Sequence, residues 1–463
     1  MRNSELHGDS FLIIGFGREG RSVYRYLCSQ LPSARIGIAD REQISLDEPQ
    51  SPHTELFSGP SYLSCAQSFA TIIRSPGVRI RDITPHLSST SYLTSATNIF
   101  FAECPGRIVG ITGTKGKSTA SSLTAAILGC TLPDVRLVGN IGTPMLDFLQ
   151  GATSETLFVI ELSSYQLEDL RRSPHAAILL NIVPEHLDYH DGFENYCAAK
   201  LNIARHQGSN DLLILNDSNQ LLATRTARFC GGRRYFNEAG SSSALVSISD
   251  GTICVSTEGS LTPLLRADEL PVIGPGNLQN ALAAITCAVA LGSTPEQIKE
   301  ALRTFKPLEH RLEFVAERCG VSFYNDSLST IPEALAHALA ALGDRVETVI
   351  AGGFDRGVDM TPLGPALGSS QVKNLILFPT TGEKIWEAAV AATPDRSYVK
   401  VDVLTMEQAV QAAYNLTTSG RTCVMSPASS SFSVFRDYKD RGDQFKDAVR
   451  RLAPQEKSPA DAA

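Results

Sequence analysis

An apolar run, Arg107-Ile-Val-Gly-Ile-Thr112, passes without a break into Gly113-Thr114-Lys115-Gly116-Lys117-Ser118-Thr119. Such a run ending in a glycine turn reads as a buried strand, and the segment opening at Ser118 reads as a helix. Backbone N–H groups at the turn can wrap a phosphate, the helix aims its positive end at the same anion, and lysine adds a point charge. A hydroxyl from Ser118 or Thr119 falls where it can ligate a Mg²⁺ that bridges phosphates. The strict phosphate-loop spacing asks for glycine at Ile111, and Gly110 stands one place off. A nucleoside-triphosphate site is the reading taken, with an ordinary Gly-Lys-Ser turn as its alternative.

The strand-to-helix rhythm continues on both sides. FLIIGFG leads into REGRSVYRYL, a second block runs from Gly106 to about residue 305, and a third opens near His310 with LEFVAERCGVSFYND. At 463 residues the chain exceeds what one ordinary core serves, and about three domains are expected. The expected fold is α/β, in three domains at 1–100, 101–307 and 308–463, each a mostly parallel sheet flanked by helices. The first and third read as Rossmann-like and the central one as phosphate-loop ATPase-like. The last ten or so residues read as a frayed tail.

Composition narrows the function. A net charge of −8 argues against a protein that coats nucleic acid or an anionic membrane. No apolar run is long enough to span a bilayer, and the polar start, MRNSELHGDS, lacks a secretory core. Ten cysteines without a C-x-x-C pair suit reduced thiols in the cytoplasm.

Open parallel sheets hold ligands beyond the carboxyl ends of their strands. TLFVIELSSYQLE stops at Glu161 with Ser163 and Ser164 just beyond, and AAILLNIVPEHLD ends in Asn181, Glu185, His186 and Asp188. A carboxylate and an imidazole on the triphosphate rim are natural metal ligands. In FENYCAAKLNIARH, Lys200 lies on the apolar stripe with Phe193, Tyr196, Cys197, Ile203 and Ala204. It either snorkels to water or faces the phosphate rim. Asn277 suits the N-cap of an alanine-rich helix, and Asn280, one turn on, reaches toward a nucleotide or cation. In the third block Arg311 and Asp326 are candidates for the triphosphate and for the ribose or base, against a plain salt-bridge role. The loops Gly352–Gly357 and Ser426–Ser431 also follow strands. Near the start, Gly15-Phe16-Gly17-Arg18-Glu19-Gly20 with Asp40 meets the dinucleotide spacing, although such a turn binds any diphosphate.

In order and spacing, these segments together resemble the Mur ligase family of cell-wall synthesis over essentially the whole chain. The likeness is carried by GTKGKST, Glu161-Leu-Ser-Ser-Tyr-Gln166, Asn181 to Asp188, Ala-Ala-Lys200 and GNLQN. Glu309-His310-Arg311, Asn325-Asp326-Ser327 and Ser426-Pro-Ala complete it. It implies a UDP-holding first domain, which displaces a nicotinamide reading. UDP-N-acetylmuramoyl-L-alanine would meet Gly15, Phe16, Gly17, Arg18, Asp40, Arg41, Ser75, Pro76, Gly77, Asn140, Ser163 and His186, with Gly139 and Gly142 flanking Asn140. ATP would meet Gly113 to Thr119, Asn277, Asn280, Arg311 and Asp326. One or two Mg²⁺ would sit at Ser118, Glu161, His186 and Lys200, the lysine carbamylated. Lys117, Glu161, His186 and Lys200 would be catalytic, and Thr330, Arg356, Ser431 and Tyr438 would hold glutamate. The implied enzyme is a cytoplasmic monomer that ligates glutamate through an acyl phosphate.

Two positions depart from the glutamate-adding pattern: Leu328 and Arg356 stand where lysines are common. D-glutamate is the substrate expected, with L-glutamate the alternative. A sister ligase of the same mechanism, including one that extends folate, and a catalytically silent nucleotide-binding regulator are the other readings.

Overall fold

Helix Lys117–Gly129 begins one residue earlier than the sequence reading, because Gly116 takes the N-cap in the left-handed conformation, φ 86°. The structure, a computed structural model, describes residues 5–47, 51–140, 143–241, 243–257, 260–432 and 434–452. The expected tail and Gly142 therefore lie outside the described residues. The chain forms two compact units, Met1–Leu270 with Asn277–Phe305, and Pro271–Gly276 with Lys306–Ala463.

The first unit holds two sheets. β1 (Ser10–Ile14), β2 (Arg35–Asp40), β3 (Thr54–Ser58), β4 (Thr71–Arg74) and β5 (Tyr92–Ser95) are all parallel in the order β3-β2-β1-β4-β5. The order reverses beside β1, which makes the Gly15 turn a topological switch point. The second sheet contains β6 (Arg107–Thr112), β7 (Val135–Gly139), β8 (Leu157–Glu161), β9 (Ala176–Leu179) and β10 (Leu212–Asn216). Four more strands extend it, β11 (Gly232–Asn237), β12 (Ala244–Ser249), β13 (Thr252–Thr257) and β14 (Ser260–Arg266). Their order is β14-β13-β12-β11-β10-β9-β6-β8-β7, so the glycine turn leaves the sheet between the ends of β9 and β8.

The strand-and-helix rhythm read through residue 305 fails between Gly232 and Arg266, where four strands follow one another. β12, β13 and β14 run antiparallel. The cause is local. Asp250 and Gly251 both take positive φ, 48° and 72°, as a two-residue hairpin requires.

One apolar core serves both sheets. Phe11, Ile13, Ile36 and Ile38 of the first belong to the same cluster as Ile108, Phe158, Ile160 and Leu213 of the second. Helix Ala96–Glu103 joins them, its Phe100 ring edge-on to Phe158 with centroids 5.0 Å apart. Fully buried aromatics of this kind each contribute about 3–5 kcal/mol.

The second unit contains β15 (Glu313–Arg318), β16 (Val321–Asn325), β17 (Val346–Gly352), β18 (Asn374–Phe378), β19 (Val399–Asp402) and β20 (Thr422–Met425). Their order is β15-β16-β20-β17-β18-β19. Only β15 is antiparallel, joined to β16 through Cys319 and Gly320 at positive φ. Among the described residues no helix is long and apolar enough to cross a membrane.

The first glycine turn supports a paired prediction. A Cβ at Gly20 would stand 2.2 Å from the Gly15 carbonyl oxygen, whereas one at Gly17 meets nothing within 4 Å. Gly20→Ala is expected to cost about 1–3 kcal/mol by overpacking and to lower Tm, with Gly17→Ala close to neutral. Equal thermal melts for the two variants would contradict this account of the turn.

Candidate active site

At the carboxyl end of β6 the glycine turn is tied to Asn181, just past β9, through both the backbone and the side-chain amide of that residue. Thr114 N donates to Asn181 O at 2.8 Å, and Lys115 N donates to Asn181 Oδ1 at 2.9 Å. Asn181 Nδ2 donates back to Lys115 O at 3.1 Å. The Thr114 hydroxyl accepts from Val183 N and meets the Tyr196 hydroxyl at 2.9 Å. Asn280 presses on the same turn: a Cβ at Gly116 would lie 2.1 Å from its Oδ1. Lys117 curls over the turn, its Nζ donating to Gly113 O at 3.1 Å and Thr114 O at 3.0 Å. Lys115 pairs with Glu185 at 2.7 Å. Burial pushes the Glu185 carboxyl up, but Lys115, with His186 and Lys117 behind it, outweighs that and the net displacement is downward.

Glu161 ends β8 and is 1% exposed. Its Oε1 accepts from Asn140 Nδ2 at 2.9 Å, while Oε2 is buried without a hydrogen-bond partner. Lys200, also 1% exposed, comes from helix Phe193–Arg205 and donates to Gly113 O at 2.8 Å. It does not snorkel. Burial holds its ammonium well below the usual lysine range, and the charge of Lys117 adds to that. His186 is the N-cap of the short helix Leu187–His190, at φ 55°, with its ring 5.0 Å from that of Tyr165. Desolvation holds the imidazole below its ordinary value, and Lys200 and Lys117 reinforce it. Among the described residues no three His, Cys, Asp or Glu side chains cluster as a metal site. An ion here would need oxygens from a ligand, which is how Mg²⁺ commonly binds with phosphates.

The residues expected at the sugar nucleotide gather largely at the switch point of the first sheet. Phe16 N donates to Asp40 Oδ2 at 2.6 Å and Glu42 N to Asp40 Oδ1 at 2.9 Å, so Asp40 shapes the turn through both oxygens. Ser75 Oγ donates to Gly15 O at 2.7 Å. Gly17, Arg18, Arg41 and Gly77 are exposed. Pro76 offers its carbonyl to Tyr189, at 2.9 Å. Ser163 caps helix Ser164–Leu167 by accepting from Gln166 N at 3.2 Å. Glu19 went unread in the sequence. It accepts from Gln166 Nε2 at 2.6 Å, its other oxygen is buried without a partner, and burial raises its pKa.

Asn277 requires a correction. It is the third residue of helix Pro275–Ala290 and not its N-cap. Pro275 opens the helix, where its missing N–H costs nothing and its fixed φ is helical. Asn277 instead accepts from Asn280 Nδ2 at 3.1 Å.

In the second unit Asp326 is buried, accepting from Leu312 N at 3.1 Å and the Ser426 hydroxyl at 2.8 Å. Arg311 Nε is buried without a partner. Thr330 and Arg356 meet, the guanidinium donating to Thr330 O at 3.1 Å, and Leu328 N donates to His310 O. Ser431 O accepts from Phe435 N, and Tyr438 O accepts from the Ser327 hydroxyl at 2.7 Å. Beneath these loops lies Arg441, 1% exposed, donating to Ser327 O at 2.8 Å, Ser327 Oγ at 3.0 Å and Ser429 O at 3.0 Å. Its helix, Tyr438–Arg451, is mostly charged, and nothing in that pattern marks this arginine as the buried one.

Residues 111–288 match the Mur ligase middle domain, and residues 310–429 match the domain described as Mur ligase, glutamate ligase domain. The UDP-N-acetylmuramoylalanine–D-glutamate ligase of Ruminiclostridium cellulolyticum is 33% identical over 85% of this chain and 85% of its own. The chain belongs to the Mur ligase family. The Caldicellulosiruptor bescii ligase of the same name is 31% identical over 97% of this chain and 99% of its own. Among solved Mur ligases, MurF from Thermotoga maritima in complex with ADP shares the fold at TM-score 0.58, with 18% identity and 97% of each chain covered. The UDP-N-acetylmuramate-alanine ligase MurC of Thermotoga maritima does so at 0.57, with 16% identity, 95% of this chain and 99% of that one.

Burial pushes the Asp326 carboxyl up from 3.8 to about 6. The fold therefore favours the protonated acid, and this contribution is complete below about pH 4 and lost as pH rises through about 6. At full burial it amounts to roughly 3 kcal/mol. Asp326→Asn is expected to flatten the fall in stability between pH 4 and 6 in denaturant unfolding of the second unit. An unchanged slope would assign the effect elsewhere.

Proposed function

We propose that this Mur ligase adds glutamate, in the first place D-glutamate, to UDP-N-acetylmuramoyl-L-alanine at the expense of ATP. The observation that carries this reading is the rim at β6, β8 and β9. A glycine turn, a buried carboxylate oxygen without a partner and a buried lysine with a depressed pKa meet there. Unpaired buried polar groups are destabilising, and a bound ligand offsets that cost. The reading also draws on the relatives named as D-glutamate ligases. It places the enzyme in peptidoglycan-precursor synthesis in the cytoplasm, as a monomer that binds neither nucleic acid nor membrane.

In this assignment residues 1–100 take the sugar nucleotide, 101–307 take ATP and 308–463 take glutamate. The sugar nucleotide is given to the Gly15–Arg18 turn, Asp40, Arg41, Ser75 to Gly77, Asn140, Ser163 and His186. ATP is given to Gly113 to Thr119, Asn277, Asn280, Arg311 and Asp326, and glutamate to Thr330, Arg356, Ser431 and Tyr438. The donor set fits one or two Mg²⁺ that bind with ATP, held by Ser118, Glu161, His186 and Lys200. When bound, Mg²⁺ neutralises charge on the transferred phosphoryl group. Glu161 would contribute its free Oε2, and His186, held neutral, its ring nitrogen. Burial disfavours the charged form of Lys200, and the neutral amine is the form that condenses with CO₂, losing a proton to become a carbamate. That converts a buried amine into an anionic oxygen ligand.

The substrate carboxylate takes the γ-phosphoryl group of ATP, giving an acyl phosphate and ADP. The glutamate amine attacks the acyl carbon, and the tetrahedral intermediate collapses to an amide with release of phosphate. Lys117 adds its point charge where the phosphoryl group transfers. Arg356 and Leu328 govern how the glutamate carboxylates are held. A forked guanidinium engages carboxylates differently from an ammonium, and Leu328 contributes no charge.

Phosphate release with ATP, Mg²⁺ and UDP-N-acetylmuramoyl-L-alanine, offered D- and L-glutamate separately, tests the reading. Turnover with D-glutamate is expected. Turnover with L-glutamate alone would keep the mechanism and change the stereochemistry, and none with either would overturn the assignment. Lys117→Ala is expected to lower kcat by about 10²–10³-fold, as loss of one charge-stabilising donor does. For Lys200, ¹³C-labelled bicarbonate should give a carbamate NMR signal that Lys200→Met abolishes; a signal persisting in the variant would place the carbamate elsewhere.

A further inference from the structure

Arg74 ends β4 immediately before the Ser75-Pro76-Gly77 loop, and its side chain is 0% exposed. It carries its charge across to the second sheet's connections. Nη2 donates to Tyr165 O at 2.9 Å and Asp169 Oδ1 at 2.7 Å, with Glu168 Oε2 at 3.4 Å. Nη1 donates to Val78 O at 3.3 Å, Pro76 O at 3.5 Å and the Tyr189 phenol oxygen at 3.4 Å. The Tyr189 hydroxyl has two acceptors in reach, Pro76 O at 2.9 Å and Glu168 Oε2 at 3.2 Å, the loop carbonyl being the nearer. Guanidinium, phenol and loop carbonyl are thus joined in one hydrogen-bonded chain.

Tyr189 belongs to the short helix Leu187–His190, whose N-cap is His186. Its ring packs edge-on to Tyr165 at 4.3 Å, and Tyr165 lies 5.0 Å from the His186 ring. Arg74 and Tyr189 thus hold one loop of the first sheet against the turn that carries His186. The arrangement is costly as plain packing, since Arg74 Nε and Asp169 Oδ2 are both buried without partners. A buried ion pair of this kind adds little net stability over apolar packing, whereas it fixes geometry.

We infer that Arg74 and Tyr189 are positioning residues that hold the Ser75–Gly77 loop in register with the His186 turn. The carboxylate end of the sugar nucleotide is thereby presented to the phosphoryl-transfer rim. This inference rests on the function proposed above. Neither residue touches a reacting atom; each acts through the loop and through His186.

The test uses the full-length protein. Arg74→Met leaves Asp169 buried beside no cation and endangers the fold, so Tyr189→Phe and Arg74→Lys are the informative variants. Tyr189→Phe keeps the ring contacts and removes only the phenol's bonds. Lysine keeps the charge beside Asp169 and loses the fork that joins Tyr165 O to Val78 O. KM for UDP-N-acetylmuramoyl-L-alanine is expected to rise about 5–10-fold in each, as loss of one positioning hydrogen bond does, with KM for ATP within about twofold. Hydrogen exchange should quicken together in residues 75–79 and 186–190. An unchanged KM in an active enzyme, a parallel rise for all substrates, or quickened exchange in one segment alone would overturn the inference. If the unaltered protein fails to turn over this substrate, the functional reading falls, and the exchange result alone decides whether the two segments are coupled.

Discussion

The reciprocal bonds between Asn181 and the glycine turn are the constraint on which the site depends. A parallel sheet ends in a row of backbone groups that must be paired, and a turn wide enough for a phosphate cannot pair its own. Asn181, just past β9, satisfies Lys115 N and Lys115 O with a single amide side chain, while its own carbonyl takes Thr114 N. The turn is held open without a partner of its own. From there the rest follows: Gly116 can adopt its left-handed N-cap, Asn280 can close against it, and Lys117 and Lys200 can both reach the Gly113 carbonyl.

Two lysines on one carbonyl, one of them wholly buried, is an arrangement that packing alone would not select. Desolvation of Lys200 disfavours its charge, and Lys117 disfavours it further. The buried Glu161 carboxylate has one oxygen on Asn140 and one on nothing. Opposed demands of this sort concentrate at functional sites, where local stability is given up for chemistry. The second unit repeats the theme with Asp326 pushed toward neutrality and Arg441 buried on three oxygens of the loops Ser327 and Ser429.

Much of this was legible in the linear chain. Continuous apolar runs such as FLII and FVIE announce strands buried on both faces, and the glycine turns after β1 and β6 mark the carboxyl ends of those strands. The inward stripe of Phe193–Arg205 placed Lys200 correctly on the buried face, yet helical periodicity does not tell a snorkelling lysine from a trapped one. The Asp250-Gly251 hairpin was present as a turn signal, but a rhythm of strand and helix read over it. Asn277 lies inside the helix because Pro275, two positions earlier, opens it, so a capping residue type alone points to the wrong position.

Local sequence determined most of the strand–turn–helix units, because propensity, turn chemistry and hydrophobic period act over a few residues, while the order and spacing of the motifs carried the resemblance to the family. Tertiary structure alone decided that Phe100 packs on Phe158 so that two sheets share one core. It also decided that Arg74 reaches Asp169 and Tyr189, that Glu19 meets Gln166, and that Arg441 lies beneath the Ser327 and Ser429 loops. Those pairs are separated by between 12 and 147 residues along the chain. No local pattern encodes which buried charge finds which partner; that is settled only when strand order brings the ends of the sheets together.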